Sequence, residues 1–216
     1  MHEPAADIRR YQPRDREAVR AICQETAYGG VEEGVIDPVL LVDLMTRAYT
    51  DFGAGALWVA EREGQVVGYL AGSWDEGEFH RVQARRVVPS AVTAALGRGL
   101  LLRRQLWRLV GSFPGFLVAS RDGSPADERA YPGHLHLNLV AGARGRSLGA
   151  RLVETFLSAT RERGVPGVRA VVYESNGKAR RFFERLGFHP LGRSLAFKPT
   201  SSLWRPEWKV VYGRVV

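Results

Sequence analysis

Residues 141–152 read AGARGRSLGARL, with glycines at 142, 145 and 149 and arginines at 144, 146 and 151. Glycine lets backbone N–H groups come close to a ligand. Where such a loop opens a helix, the helix end adds about half a positive charge. This combination suits a phosphate, and with several arginines beside it a pyrophosphate. The spacing G-x-x-G-x-x-x-G sets other chemistries aside: there is no Gly-Lys-Ser/Thr and no G-x-G-x-x-G, and no G-x-S-x-G nucleophile elbow. Just before the loop, HLHLNLV (134–140) alternates polar and apolar residues. A strand with this pattern puts His134, His136 and Asn138 on one face and Leu135, Leu137 and Leu139 on the other. A histidine with an ordinary pKa of about 6.5 suits a general base; hydrogen-bonded structural histidines are the plainer alternative. Tyr173 and Glu174 end the next expected strand and offer a second acid and base. His-x-His with one cysteine and no ordered carboxylate partner makes a poor zinc site, so no metal is expected.

The elements that must position these groups are legible to different degrees. A strand over 6–12 stops at Pro13, and Asp15 is placed to cap a helix bearing Ala18, Val19, Ile22, Cys23 and Ala27. After a loop with Gly29, Gly30 and Gly34, Pro38 opens a second helix with Val39, Leu41, Leu44 and Met45 on its apolar face. A hairpin follows, 56–60 returning through 66–71 with Gly64 at its tip. Residues 75–130 break the alternation and read as a helical insertion starting at Pro89–Ser90, with Val92, Leu96, Leu100, Leu106, Leu109 and Val110 as apolar positions. Then come the strand at 134–140, the glycine loop, a helix striped by Leu148, Leu152, Val153, Phe156, Leu157 and Thr160, and a strand at 168–173. Strand, loop, helix and strand in this order form a βαβ unit. Ser175 or Asn176 caps a short helix ending at Gly187, and two strands near 188–197 and 209–216 close the chain.

The composition narrows the function classes. With 216 residues, 45% of them hydrophobic, the chain suits a single folded domain over 1–216. Cys23 stands alone, which excludes an internal disulfide and, with the absence of a signal-like N-terminus, favours the cytoplasm. No stretch of 18 apolar residues occurs, so no membrane partner is expected. The formal charge of +8 comes from 28 arginines and three lysines against 23 acidic residues and suits an anionic ligand. Basic residues are not interleaved with aromatics as on a base-stacking platform, so nucleic acid is not the expected partner.

A second segment, Asn176 to Phe188, reads NGKARRFFERLGF. Together with the loop it resembles the GNAT superfamily of acetyl-CoA-dependent N-acetyltransferases. Arg144, Ser147 and Gly149 stand at the positions of the family's Arg/Gln-x-x-Gly-x-Gly/Ala loop. Asn176, Ala179, Phe183, Gly187 and Phe188 stand at those of its N-x-x-A-x-x-x-Y-x-x-x-G-F segment. YPGHLHLNL (131–139) also resembles the start of the acetyltransferase-like domain found with some O-GlcNAc hydrolases, which carries a long insertion before this strand. The resemblance implies an α/β (α+β) fold, a mixed and mostly antiparallel sheet flanked by helices, with the insertion between the third and fourth strands. It implies acetyl-CoA as co-substrate and an amine of a small molecule or peptide as acceptor. Gly145, Arg146, Ser147, Leu148, Gly149 and Ala150 would hold the pyrophosphate with Arg144. The pantetheine arm would run beside Leu139 and Val140, which requires the strand to splay from 168–173, and Asn176, Ala179 and Phe183 would complete the cofactor site. A backbone N–H facing the thioester oxygen would be worth about 3 kcal/mol in the transition state. Two departures stand out. Ser147 replaces a glycine, and Phe183 replaces the tyrosine assigned in the family to protonating the thiolate. The catalytic candidates are therefore His136, Asn138, Tyr173 and Glu174, and a non-catalytic acyl-CoA-binding domain is the alternative. The insertion is expected to serve as a lid over the acceptor cleft or as the contact of a homodimer.

Overall fold

The computed structural model describes residues 6–26, 37–99, 129–144, 147–199 and 204–216. Its strands are β1 (Asp7–Arg10), β2 (Ala56–Arg62), β3 (Gln65–Ser73), β4 (Gly133–Leu139), β5 (Gly167–Tyr173), β6 (His189–Pro199) and β7 (Trp204–Val215). They form one sheet in the order β1-β2-β3-β4-β5-β7-β6. Only β4 and β5 run parallel, so the sheet is mixed and mostly antiparallel, as expected. The helices are α1 (Arg16–Thr26), α2 (Pro38–Thr50), α3 (Glu76–Val82), α4 (Val88–Gly97), α5 (Leu148–Glu162) and α6 (Gly177–Arg185).

Two apolar clusters lie on opposite faces of the sheet. Leu57, Val59, Tyr69 and Ala71 meet Val19, Ile22 and Cys23 of α1 and Val42, Ala48 and Tyr49 of α2. Trp58, Leu70, Leu135 and Val168 meet Leu152, Val153, Phe156 and Leu157 of α5. Coverage on both faces is why ALWVA in β2 is apolar at every position, where a strand facing water would alternate.

Three local expectations need correction. Asp15 does not cap α1. A 3-10 turn (Pro13–Asp15) precedes the helix, and the buried Asp15 carboxylate accepts from Gln12 N at 2.8 Å and from Arg9 at 2.7 and 2.8 Å. Proline at the first position pre-sets the helical φ, so the turn begins three residues early. In α2, capped by Asp37 on Leu40 N at 3.0 Å, the buried face is Leu40, Leu41, Val42, Ala48 and Tyr49, whereas Val39 and Met45 are exposed. A run of apolar residues at 39–42 leaves the helix phase undefined by pattern; the sheet contact of Ala48 and Tyr49 sets it.

The third correction concerns the insertion, whose helix begins at Glu76, well before Pro89. Asp75 caps it by accepting from Glu78 N at 2.9 Å, and Glu76 N donates to Pro132 O at 3.1 Å, tying its start to β4. Proline lacks the N–H that a continuing helix needs. The wide turn Gln83–Val87, in which Val88 N reaches back to Gln83 O, accommodates Pro89 without ending the helix. Val92 and Leu96, expected to be apolar contact positions, are about half exposed. Leu100, Leu106, Leu109 and Val110 lie outside the described residues, as do Ala27, Gly29, Gly30, Gly34, Gly145 and Arg146.

Candidate active site

β4 and β5 pair at only two positions, Gly133 with Val168 and His134 with Arg169. Gly133 permits this contact: a Cβ there would fall 2.9 Å from Ser73 O and 3.0 Å from Val168. Beyond His134 the strands part. β4 continues against β3, and β5 against β7. Val140 N donates to Val67 O at 3.1 Å, so antiparallel alternation turns the N–H groups of Leu137 and Leu139 away from β3, into the gap. Val140 itself is engaged on both sides, since its carbonyl accepts from Ala143 N at 3.0 Å. Leu139 O accepts from Arg144 Nε at 3.1 Å, which folds that guanidinium back over the strand end.

The N-terminus of α5 lies at the same end of β4. Arg151 N donates to Ser147 O at 2.9 Å, the first bond of the helix, and the Ser147 side chain makes no cap, so the N–H groups of Leu148, Gly149 and Ala150 have no partner within the helix. A Cβ on Gly149 would sit 3.2 Å from Leu137, 3.3 Å from Leu139 and 3.3 Å from Phe182. Glycine here lets α5 press onto β4 and α6. Arg151 is turned away, with Nη1 on Ala6 O at 2.8 Å.

Ser147 is left-handed, with φ 56° and ψ −5°. That conformation strains any residue with a Cβ. Ser147→Gly is therefore expected to stabilise the protein by about 1 kcal/mol in denaturant unfolding; unchanged or reduced stability would show that the serine is compensated there.

The polar face of β4 lies beneath α1, α2 and α3. His134 is buried; its Nε2 is 2.7 Å from Tyr49 Oη and its Nδ1 is 3.3 Å from Glu76 Oε2, within ion-pair reach. Glu76 also meets Arg169 Nη2 at 2.6 Å and His80 Nε2 at 3.3 Å. Burial opposes the Glu76 charge, but the facing His134, His80 and Arg169 outweigh it and hold the carboxyl well below the usual range. Burial also pushes the Tyr49 hydroxyl up. This cluster closes the point at which β4 and β5 separate. Asn138 spans Thr26 Oγ1 and Tyr69 Oη at 2.9 Å each, joining α1 to β3.

Asn138 is half-buried, and His136 is the most exposed polar residue of this face. Its ring lies 5.4 Å from that of His134. Desolvation by the protein around the ring, with the charges of His134 and Lys209, draws its pKa below the ordinary value, against an opposite pull from Glu76. Across the gap stand Tyr173 and, paired with it in register, Lys209, whose Nζ is 5.7 Å from the Tyr173 ring centroid. Glu174 turns to Arg193 Nη2 at 2.9 Å.

On α6, Asn176 caps the helix, its Oδ1 accepting from Ala179 N at 3.1 Å. Ala179 is half-buried against the core. Phe183 is buried, with ring centroids 5.2 Å from both Phe182 and Phe188. Phe182, which the sequence reading passed over, is the ring that reaches Gly149. Glu76, Tyr49 and Lys209 were missed as well. Nothing local marks Glu76 or Tyr49, because their roles arise from contacts 58 and 85 residues away in sequence. Lys209 is one of only three lysines, but its place beside Tyr173 depends on the β5–β7 pairing. Among the described residues no group of three or more potential ligands is arranged to hold a metal, and no helix is long and apolar enough to cross a membrane.

A family model for the acetyltransferase (GNAT) family matches residues 31–188. The chain is similar to the crystal structure of SsHAT, with 28% identity, a TM-score of 0.69 and 98% of each chain covered. At 18% identity it shares its fold with a ribosomal-protein-alanine N-acetyltransferase from Brucella melitensis (TM-score 0.58, covering 97% of this chain and 99% of that one). It also shares it with a GNAT superfamily phosphinothricin acetyltransferase from Sinorhizobium meliloti in complex with AcCoA (18% identity, TM-score 0.60, covering 99% and 89%).

Proposed function

The chain belongs to the acetyltransferase (GNAT) family, and from that premise we propose that it moves an acetyl group from acetyl-CoA directly to the amine of a small-molecule or peptide acceptor. The observation that carries this reading is the parting of β4 from β5 after two paired positions. The gap leads from the N–H groups of Leu148, Gly149 and Ala150, which have no partner within the helix, to the solvent-reaching ring of His136.

The residues present fit acetyl-CoA. The α5 N-terminus offers three N–H groups to a pyrophosphate, with Arg144 as a flanking charge and Ser147 in the turn; Gly145 and Arg146, assigned to the same site from the sequence, lie outside the described residues. The N–H groups of Leu137 and Leu139 face the pantetheine path; Val140, whose N–H is on Val67, borders it without donating. Acetyl-CoA supplies the acetyl group as a thioester. Asn176, Ala179 and Phe183 form the α6 side of the site, and Phe183 provides an apolar wall with no proton to give. We assign the base to His136, which is uncharged at neutral pH, and the acid to Tyr173. Asn138 holds α1 in place, and Glu174, paired with Arg193, fixes the end of β5. Release of CoA from acetyl-CoA on a broad amine panel tests the reading. Binding of acetyl-CoA without release on any amine would favour the non-catalytic alternative that Phe183 motivates.

The His136 assignment has a pH signature. Its folded pKa lies below the ordinary value of about 6.5, so its neutral form persists as pH falls through 6. The acid limb of kcat/KM is expected below pH 5.5, near the depressed pKa, and to disappear in His136→Ala. A limb centred at the ordinary histidine value, unchanged by that substitution, would remove His136 from the role.

A further inference from the structure

The acceptor end of the cleft has an open floor. α1 and α2 pack on β2, β3 and β4, and Val171 of β5 remains 38% exposed on the same side as Tyr173. Val171 pairs with Val211 and Tyr173 with Lys209, so strand alternation puts Lys209 on that face of β7. Lys209 is half-buried and leans on Tyr173. It forms no ion pair among the described residues.

The carboxylates next to it in the strands are engaged elsewhere: Glu174 with Arg193, and Glu207 with the Ser175 hydroxyl. A partly desolvated ammonium beside a reactive cleft attracts an anion more strongly than a fully hydrated one. β7 lies two strands from β4 with the β4–β5 gap between them, and the lysine stem turns back over Tyr173, close enough for its charge to act on the His136 ring. The span from His136 to the ammonium therefore suits a compact acceptor.

We propose that Lys209 selects acceptors that carry a carboxylate a few bonds from the reacting amine, the chemistry of a free amino acid, with Lys209 holding the carboxylate while the amine faces His136 over the Val171 floor. This rests on the acetyl-transfer reading. The two are separable because acceptor binding can be measured without turnover.

The probes are free α-, β- and γ-amino acids and their carboxamides, titrated calorimetrically into the protein saturated with CoA. Parallel assays measure KM and kcat with acetyl-CoA. At least one amino acid is expected to bind about tenfold more tightly than its carboxamide. Lys209→Met, which keeps the apolar stem, should erase that preference through KM while leaving acetyl-CoA affinity intact. Lys209→Arg should retain it. Equal binding of every acid and amide pair by the wild-type protein, or a preference that survives Lys209→Met, overturns the proposal. Carboxylate-selective binding with no acetylation of any amine would instead overturn the acetyl-transfer reading and leave this one standing.

Discussion

Gly149→Glu is expected to lower acetyl-CoA affinity by at least about 100-fold while the protein remains folded. The glycine side of α5 faces Leu137, Leu139 and Phe182, and a Cβ there would come within 3.2–3.3 Å of the flexible ends of those side chains. A methyl group needs them to yield by a few tenths of an ångström, so Gly149→Ala should keep most of the affinity. A glutamate cannot leave its carboxylate among three apolar side chains. It turns to the N–H groups of Leu148, Gly149 and Ala150, and so occupies and neutralises the helix terminus assigned to the pyrophosphate. Isothermal titration with acetyl-CoA, alongside circular dichroism, measures both effects. Wild-type affinity in a folded Gly149→Glu protein would show that the cofactor binds elsewhere.

Glu76→Gln should destabilise the fold by about 3 kcal/mol, because it removes a partly buried charge that faces Arg169 and His134. For a chain of this length that corresponds to a fall in Tm of about 6–12 °C. The folded-state pKa of Glu76 lies below its unfolded value, so its contribution is complete above the ordinary carboxylate range and fades as the pH falls through it. The gap between wild type and Glu76→Gln should therefore be largest near neutrality and narrow in acid. Because Glu76 also ties the insertion to the point where β4 and β5 separate, the variant should bind acetyl-CoA less well at temperatures where it is still folded. A change of under about 0.5 kcal/mol, within the range of surface substitutions, would show that the cluster is screened by solvent.

The sequence by itself determined what local pattern and chain-adjacent chemistry can fix. The strand HLHLNLV, the helix stripe from Leu148 to Thr160, the strand after it and the Asn176 cap are each local, and each appears where the spacing requires it. The family resemblance was legible for the same reason, since its two motifs lie within 45 residues of each other. Even the strain at Ser147 was foreshadowed by a serine standing where the resemblance implies glycine. Tertiary structure decided which members of a correctly read face remain available. His134, His136 and Asn138 share a face by periodicity alone, yet Tyr49 and Glu76 engage the first and Thr26 and Tyr69 the third, leaving His136 open to the cleft. It also moved the start of the insertion helix back to Glu76, turned Val39 and Met45 outward, and brought Lys209 beside Tyr173. These outcomes depend on strand pairing and helix docking between residues far apart in the chain. Their free energies come from burial and charge pairing in the assembled fold, which no local spacing encodes.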